Sequence, residues 1–149
     1  MDVYCFPFAR GRVFAKQEID EGQYNNKEKC FWSSGTCFMV RKNLFYKAGG
    51  FDDTFFAHME EIDLCWRLYA MGFEVWVDPQ ATVFHKNALT LPMHTHKKHY
   101  LNHRNSLLML FSNYSIKNIF LMGIPRLILE KVACFYSILM LDWRHFTAI

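Results

Sequence analysis

Three acidic side chains fall within four positions of the chain, at Glu60, Glu61 and Asp63. A carboxylate can take a proton from a hydroxyl group, which is the general-base step of many transfer reactions. Phe55 and Phe56 lie just before the acids, and apolar neighbours raise a carboxylate's affinity for protons into the range that suits such a base. The same three acids would also suit the first turn of a helix, where they complement the helix dipole. The residues by themselves leave both interpretations open.

The acids lie at the start of a predicted helix over residues 59–72, because apolar side chains recur there at three- and four-residue steps before Gly72. Upstream, residues 37–40 are predicted as a buried strand and residues 41–48 as a short helix that ends at a glycine pair. Downstream, strands are predicted at 73–77 and 81–84, on either side of Asp78-Pro79. Helices are predicted at 100–111 and 125–143, with Pro125 as a first helical residue. The order of these elements predicts an α/β fold with a helical tail.

Composition and charge add a second theme. The chain has 149 residues, of which 52% are hydrophobic and 17% aromatic, so some apolar surface is expected to meet something other than water. Residues 1–96 carry 10 Lys/Arg against 12 Asp/Glu, whereas residues 97–149 carry 7 against 2. A basic, apolar tail favours a membrane surface as partner. No uncharged run approaches the roughly 18 residues of a spanning helix, so we expect the tail to lie on a membrane or pack on a partner. Nucleic acid is disfavoured by the acidic body and the lack of a known motif.

The cysteines and histidines suggest no further chemistry. Five cysteines without a CxxC pair argue against disulfides and a cysteine-based zinc site, and no secretory signal is visible, which together favour the cytosol. His99 and His103 are four residues apart, a spacing that could bind zinc on one helix face. Interleaved lysines and the lack of a third ligand at a fixed spacing favour a solvated basic face instead.

Most of residues 4–111 resembles the C-terminal half of family 2 glycosyltransferases, enzymes of the GT-A type, and particularly bacterial members that act on surface polysaccharides. The positions that carry the resemblance are Pro7, Arg10-Gly11-Arg12, Gly22-Gln23-Tyr24, Trp32, Gly35, Gly49-Gly50-Phe51-Asp52, Phe55-Phe56, Glu60-Glu61 with Asp63-Leu64, Phe84-His85 and Arg104-Asn105. The resemblance implies that residues 1–96 form the C-terminal part of a Rossmann-like mixed sheet with flanking helices. From their basic and apolar composition, residues 97–149 are expected to form a helical tail that places the protein in the cytoplasm, peripheral at the inner face of the cell membrane.

The resemblance also implies an activity: inverting transfer of a sugar from a nucleotide-diphosphate donor to a glycan or lipid-linked acceptor. Glu61 stands at the position of the general base, with Glu60 and Asp63 as alternatives. His85 matches a histidine that helps to hold Mg²⁺ or Mn²⁺ on the diphosphate. The residues expected to form the acceptor site are Trp32, Ser34, Gly35, Trp66 and Arg67. Trp32 would offer a face for sugar stacking, although a buried core tryptophan is an equal alternative.

Three departures from the family pattern qualify the expected activity. Most relatives have Glu-Asp where this chain has Glu60-Glu61, and Lys86-Asn87-Ala88-Leu89 replaces a segment that often contains glycines. No Asp-X-Asp occurs in the 149 residues, so the donor half that would carry it is expected to be missing and the chain to be inactive by itself. The competing interpretation is a non-catalytic remnant that binds a membrane or a partner through its tail.

Overall fold

The computed structural model describes residues 1–13, 16–85 and 95–149. Its helices are α1 (Lys42–Lys47), α2 (Glu60–Ala70), α3 (His96–Asn113), α4 (Ile116–Leu139) and α5 (Trp143–Phe146), with a 3-10 turn at Asp53–Phe55. Its strands are β1 (Arg12–Val13), β2 (Lys16–Gln17), β3 (Glu28–Cys30) and β4 (Val75–Val77). His94 and the segment Lys86-Asn87-Ala88-Leu89 lie outside the described residues.

The strands form two separate antiparallel pairs, β1 with β2 and β3 with β4. In the second pair Lys29 lies opposite Trp76, so the segment before the acids is joined to the segment after them. The strands predicted at 37–40 and 81–84 are wrong, because neither segment is a strand. Both have apolar side chains suited to a sheet, but a strand also needs a neighbour that accepts its backbone hydrogen bonds, and the described residues provide none for them.

The two helices predicted around the acids are confirmed. Helix α1 ends where Gly49 and Gly50 adopt φ values of +87° and +72°, a conformation that side chains with a Cβ rarely adopt. The Gly50 N–H bonds the carbonyl of Phe45 at 2.9 Å and so closes the last turn. Helix α2 ends in the same manner before Gly72. Glycines in the sequence therefore set both helix ends.

The core forms where the start of α2 packs against α3. Its fully or nearly buried members are Cys5, Phe55, Met59, Ile62, Met109 and Leu110. Phe55 and Met59 flank the loop that leads into α2, and Met109 and Leu110 face them from the C-terminal half of α3. Burial of each of these large side chains contributes about 1.5–3 kcal/mol. The acids of α2 are thus attached directly to the best-packed part of the molecule.

Helix α4 begins earlier than the sequence predicts, and the expectation that a helix starts at Pro125 is wrong. Ser115 caps the helix, because its hydroxyl accepts a hydrogen bond from the Asn118 N–H at 3.4 Å. Pro125 lies inside the helix. Gly123 lies against α3, where an added Cβ would be 3.8 Å from Leu110. A cap at the true start and packing on α3 together outweigh the cost of an interior proline.

None of the helices among the described residues combines the length and the apolar character that crossing a bilayer requires. The five cysteines are free thiols.

Candidate functional site

The acids follow a strained loop. Phe56, His58 and Met59 have φ values of +60°, +69° and +73°, which are unfavourable for residues with a Cβ. Such residues cost on the order of 1–3 kcal/mol each and persist only where the surroundings hold them. Met59 is also the N-cap residue of α2 and supplies no side-chain hydrogen bond to the first turn. The start of α2 at Glu60 is therefore preceded by a locally strained backbone.

Asn105 of α3 holds this loop. Its Nδ2 group donates to the carbonyls of Phe55 at 2.9 Å, Ala57 at 2.8 Å and His58 at 2.8 Å. Asn105 is completely buried, and its side-chain oxygen Oδ1 accepts a hydrogen bond from the Arg104 guanidinium at 3.0 Å. Because one amide contacts the carbonyls of three loop residues, α3 holds the loop from which α2 begins.

Glu61 has the electrostatics of a proton acceptor. Its Oε1 lies 3.4 Å from the N–H of Gly35, while its Oε2 is buried without a hydrogen-bond partner. Burial raises the pKa of Glu61, and the neighbouring charge of Glu60 adds to the effect against opposing backbone hydrogen bonds. A carboxylate that water does not fully stabilise binds a proton more readily.

Unpartnered polar atoms concentrate at this one place. Among the described residues, the buried side-chain nitrogen and oxygen atoms without a partner are His58 Nε2, Glu60 Oε2 and Glu61 Oε2. Burial, together with the charge of Lys98, lowers the pKa of His58 and favours its neutral form. Buried polar groups are normally hydrogen-bonded, so three exceptions within four residues favour a site that receives polar groups from outside.

Asp63 is placed differently from its two neighbours. Its side chain is 4% exposed, and both oxygens are occupied: Oδ2 accepts from Arg67 Nε at 2.8 Å and Oδ1 accepts from Asn113 at 2.8 Å. Arg67 in turn donates to the carbonyls of Ala48 and Gly50, the latter at 2.8 Å. These contacts join the end of α1 to α2 and α3. The polar groups of Asp63 and Arg67 are therefore hydrogen-bonded within the protein, and this pairing favours a structural role for both residues.

The predicted acceptor residues divide between core and surface. Trp66 packs edge-on against Phe31 and Tyr114, with ring centroids at 5.4 and 5.0 Å, and Trp32 is half-buried against the core. Ser34 is exposed beside Gly35, and its hydroxyl lies 3.1 Å from that of Thr36. The loop of Ser34 and Gly35 is thus the part of the predicted acceptor site that lies both next to Glu61 and at the surface.

An open cleft of about 1160 Å³ lies beside this loop. Ser34 and His85 both line it, together with apolar side chains of the 37–40 segment and of β4, whereas Glu61 is not among its lining residues. The cleft therefore brings the predicted metal ligand to the acceptor loop but leaves the predicted base outside its walls.

The described residues do not complete a metal site. They contain no group of three His, Cys, Asp or Glu side chains arranged to hold an ion. His85 is exposed at the edge of the cleft and would supply at most one ligand, whereas a divalent cation on a diphosphate needs several oxygen or nitrogen ligands. The solvated basic face predicted for His99 and His103 is wrong for His103, which is largely buried against Glu130 with an Nδ1–Oε2 distance of 2.7 Å.

Sequence reasoning missed the roles of Asn105 and His58. The Arg104-Asn105 pair was part of the family pattern, but its spacing says nothing about the three carbonyls that Asn105 reaches some 50 residues upstream. The stretch around Asn105 reads Asn102-His103-Arg104-Asn105-Ser106 and is polar, so local composition gives no signal that this amide is buried.

Two curated proteins are similar to part of the chain. Both are described as N-acetylglucosaminyl-diphospho-decaprenol L-rhamnosyltransferase, from Mycobacterium tuberculosis strains CDC 1551 / Oshkosh and ATCC 25618 / H37Rv. Each is 42% identical over 57 residues, which is 38% of this chain and 19% of the relative. No protein-family profile and no solved structure matches the chain. The partial similarity supports a glycosyltransferase-like function.

Proposed function

We propose that the chain is the acceptor-side, C-terminal part of an inverting family 2 glycosyltransferase of the GT-A type, with Glu61 as its general base. The observation that carries the proposal is the unpartnered, buried Oε2 of Glu61 beside the exposed loop of Ser34 and Gly35. A base needs one free oxygen directed at the acceptor and an affinity for protons above that of an ordinary carboxylate. Glu61 has a free oxygen, Oε2, and burial raises its pKa.

In the proposed reaction the acceptor hydroxyl gives its proton to Glu61 while its oxygen bonds to the anomeric carbon of the donor sugar. The bond from that carbon to the diphosphate oxygen breaks, and the nucleoside diphosphate leaves with the electron pair. Attack and departure take place on opposite faces, so the configuration inverts. The task of this chain is to hold the acceptor oxygen and accept its proton, and positioning of this kind can supply a large part of the rate.

Glu60 and Asp63 have supporting roles in this proposal. Asp63 has no free oxygen, because Arg67 and Asn113 occupy both. Glu60 has a free buried oxygen, but the Gly35 hydrogen bond joins the acceptor loop to Glu61. The negative charge of Glu60 raises the proton affinity of its neighbour. Glu60 is therefore assigned to tuning Glu61.

The substrates belong to the proposal as well. The relatives' name describes transfer of L-rhamnose to a sugar on a decaprenyl diphosphate, and we infer for this chain a nucleotide-diphosphate sugar donor and a glycan or lipid-linked acceptor. The donor would bind mainly to a nucleotide-binding half whose strands cover the open cleft. The Mg²⁺ or Mn²⁺ that family members use would need ligands from that half besides His85.

The test is turnover in an enzyme that unites this chain with a nucleotide-sugar-binding half. A nucleotide-activated L-rhamnose and N-acetylglucosaminyl-diphospho-decaprenol are suitable substrates, because they correspond to the relatives' name. Glu61→Gln should lower kcat about 100-fold to 10 000-fold, the usual contribution of a general base. Glu60→Gln should have a smaller effect, and Glu21→Gln, on an exposed loop, should have none. Near-normal turnover in Glu61→Gln would show that the base is another group.

A further inference from the structure

Helix α4 is amphipathic in the opposite sense to a normal surface helix. Its completely or nearly buried side chains are polar, namely Arg126, Glu130 and Ser137. Its outer surface is apolar; the exposed members, each at least 39% accessible, are Ile116, Phe120, Leu121, Ile124, Leu127, Ile128, Leu129, Val132, Phe135, Tyr136, Ile138 and Leu139. We call this set the outer face of α4. It is far more apolar surface than isolated exposed residues on an ordinary soluble domain would give.

The polar inner side fixes the helix in this orientation. Arg126 donates to Ser106 Oγ at 2.6 Å, to the carbonyl of Tyr4 at 2.8 Å and to Glu130 Oε1 at 2.9 Å. Glu130 also bonds His103 of α3. Rotating α4 to bury the apolar residues would break the bonds from Arg126 and Glu130 to Tyr4, Ser106 and His103, and would leave those groups without these partners. The outer face is therefore held outward by the fold.

The charges around the outer face are positive. Arg126 and Glu130 neutralise each other in the interior, which leaves six Lys/Arg and one acid, Asp142, among residues 97–149. Lys117 and Lys131 lie on α4 and Arg144 on α5, and all three are exposed. Long cationic side chains can bury their stems in an apolar layer while their charged ends reach its polar boundary.

Aromatic side chains extend the outer face at its C-terminal end. Phe135, Tyr136 and Trp143 are exposed by 62%, 56% and 59%. Tyrosine and tryptophan favour the level of lipid headgroups, where the ring is apolar and the polar atom stays hydrated. An apolar face with cations and interfacial aromatics is the composition of helices that lie in the plane of a membrane.

We propose that the outer face of α4, extended by α5, binds the surface of a bilayer that contains anionic lipids, with the helix lying in the plane of the interface. Two copies of the chain would be a poor alternative occupant, because a two-fold interface brings each patch onto itself and would oppose Lys117 and Lys131 to like charges. An anionic surface complements the same residues. The inference is independent of the proposed transferase, although it would bring a lipid-linked acceptor to the enzyme.

The test is co-sedimentation of the 149-residue chain with lipid vesicles. Vesicles with about 30% phosphatidylglycerol in phosphatidylcholine should bind the chain at least tenfold more tightly than pure phosphatidylcholine, and raising the salt from about 50 to about 500 mM should weaken binding. The double variant Ile128→Glu/Phe135→Glu should lose at least tenfold in binding. The matched control Met39→Glu/Phe84→Glu replaces two 98% exposed side chains away from α4 and should bind as the unmodified chain does.

Circular dichroism should show both variants folded, and light scattering without lipid should show a monomer. The proposal is overturned if the unmodified chain fails to bind the anionic vesicles, or if both double variants lose binding equally. It is also overturned if Ile128→Glu/Phe135→Glu instead abolishes a lipid-free dimer, which would make the outer face a contact between copies. Since no sugar transfer is measured, failure here is separate from failure of the Glu61 assignment.

Discussion

Asn105 and His58 are joined across the base of the candidate site, with the Asn105 side-chain amide donating to the His58 carbonyl at 2.8 Å. The same amide bonds the carbonyls of Phe55 and Ala57. The loop between Phe55 and Met59 contains three positive φ values, so its shape depends on these bonds rather than on local preference. The position of Glu60 and Glu61 therefore depends on Asn105, a residue of another helix.

Replacing Asn105 with leucine should destabilise the chain by about 2–4 kcal/mol, because one buried and two partly buried carbonyls lose the amide whose two N–H groups they share, and each buried group left unsatisfied costs about 1–3 kcal/mol. The measurement is the midpoint of urea unfolding at neutral pH. Asn102→Leu, at a half-buried position of the same helix, is the control and should change the midpoint little. Equal losses in the two variants would mean that α3 tolerates leucine poorly at both positions and that the loop contacts contribute nothing.

Glu61 should be a residue that weakens the fold at neutral pH. Burial raises its pKa in the folded chain above the unfolded value, so the ionised form costs stability, and that cost disappears as acidification protonates the group. Glu61→Gln should therefore raise the free energy of unfolding at pH 7 by about 1 kcal/mol, the scale of an unsatisfied buried polar atom. The gain should shrink as the pH falls through the raised pKa toward the unfolded value.

The measurement is thermal unfolding of Glu61→Gln and of the unmodified chain across this pH range, which gives the difference in their free energy of unfolding at each pH. Glu21→Gln changes the same charge on an exposed loop and should give no pH-dependent gain. A destabilised Glu61→Gln variant at pH 7 would contradict the raised pKa, and with it the physical basis for assigning Glu61 as the base.

The sequence was sufficient to predict α1, α2 and the existence of helices in the tail, because glycines and local periodicity determine them. It did not correctly predict two of the strands or the start of α4. Residues 37–40 and 81–84 have the composition of strands, but pairing partners decide whether a strand forms, and local sequence does not contain them. Pro125 resembles a helix start, yet the cap at Ser115 and the packing of Gly123 continue α4 through it.

The candidate site could be predicted only in part, because local spacing is visible in the sequence and tertiary contacts are not. Spacing identified Glu60, Glu61 and Asp63 as a group, but the distinction among them depends on tertiary contacts. Asp63 is occupied by Arg67, four residues on, and by Asn113 of α3, 50 residues away. The first contact was visible in the helix spacing, whereas the second required the packing of α2 on α3. A carboxylate's free oxygens cannot be counted until its neighbours are known.

Acid should loosen the attachment of α5. His145 Nε2 lies 2.9 Å from His103 Nε2, and His145 Nδ1 lies 2.7 Å from Ser137 Oγ. Burial and the nearby His103 lower the pKa of His145, against the opposing charges of Asp142 and Glu130. The folded state therefore disfavours protonated His145, and its stability contribution is lost as the pH falls below the unfolded value of about 6.5.

His145→Gln removes this titration. The stability advantage of the unmodified chain over the variant should be largest near pH 7.5 and smaller near pH 5.5, as measured by urea unfolding at both pH values. His85→Gln, which replaces an exposed histidine at the edge of the cleft, is the control and should show no such change in the difference. A difference that is constant with pH would show that His145 contributes packing alone.

The buried pair of Arg126 and Glu130 should be strongly non-additive. Glu130 keeps a lowered pKa, because hydrogen bonds and charge from His103 and Arg126 outweigh the effect of its burial. Removing Glu130 leaves Arg126 buried without an opposite charge, and removing Arg126 leaves Glu130 with His103 alone, so Arg126→Met and Glu130→Leu should each cost about 3–5 kcal/mol. The double variant should cost much less than the sum, since neither charge remains in the interior.

Urea unfolding of the two single variants and the double variant completes the cycle and measures the coupling of the pair. Lys131→Met is the matched control, because it removes a neighbouring charge from the exposed side of the same helix and should leave stability nearly unchanged. An additive double variant would mean that the pair does not hold the inner side of α4. In that case the fold would not force the outer face toward solvent, and the helix would be able to rotate its apolar residues inward.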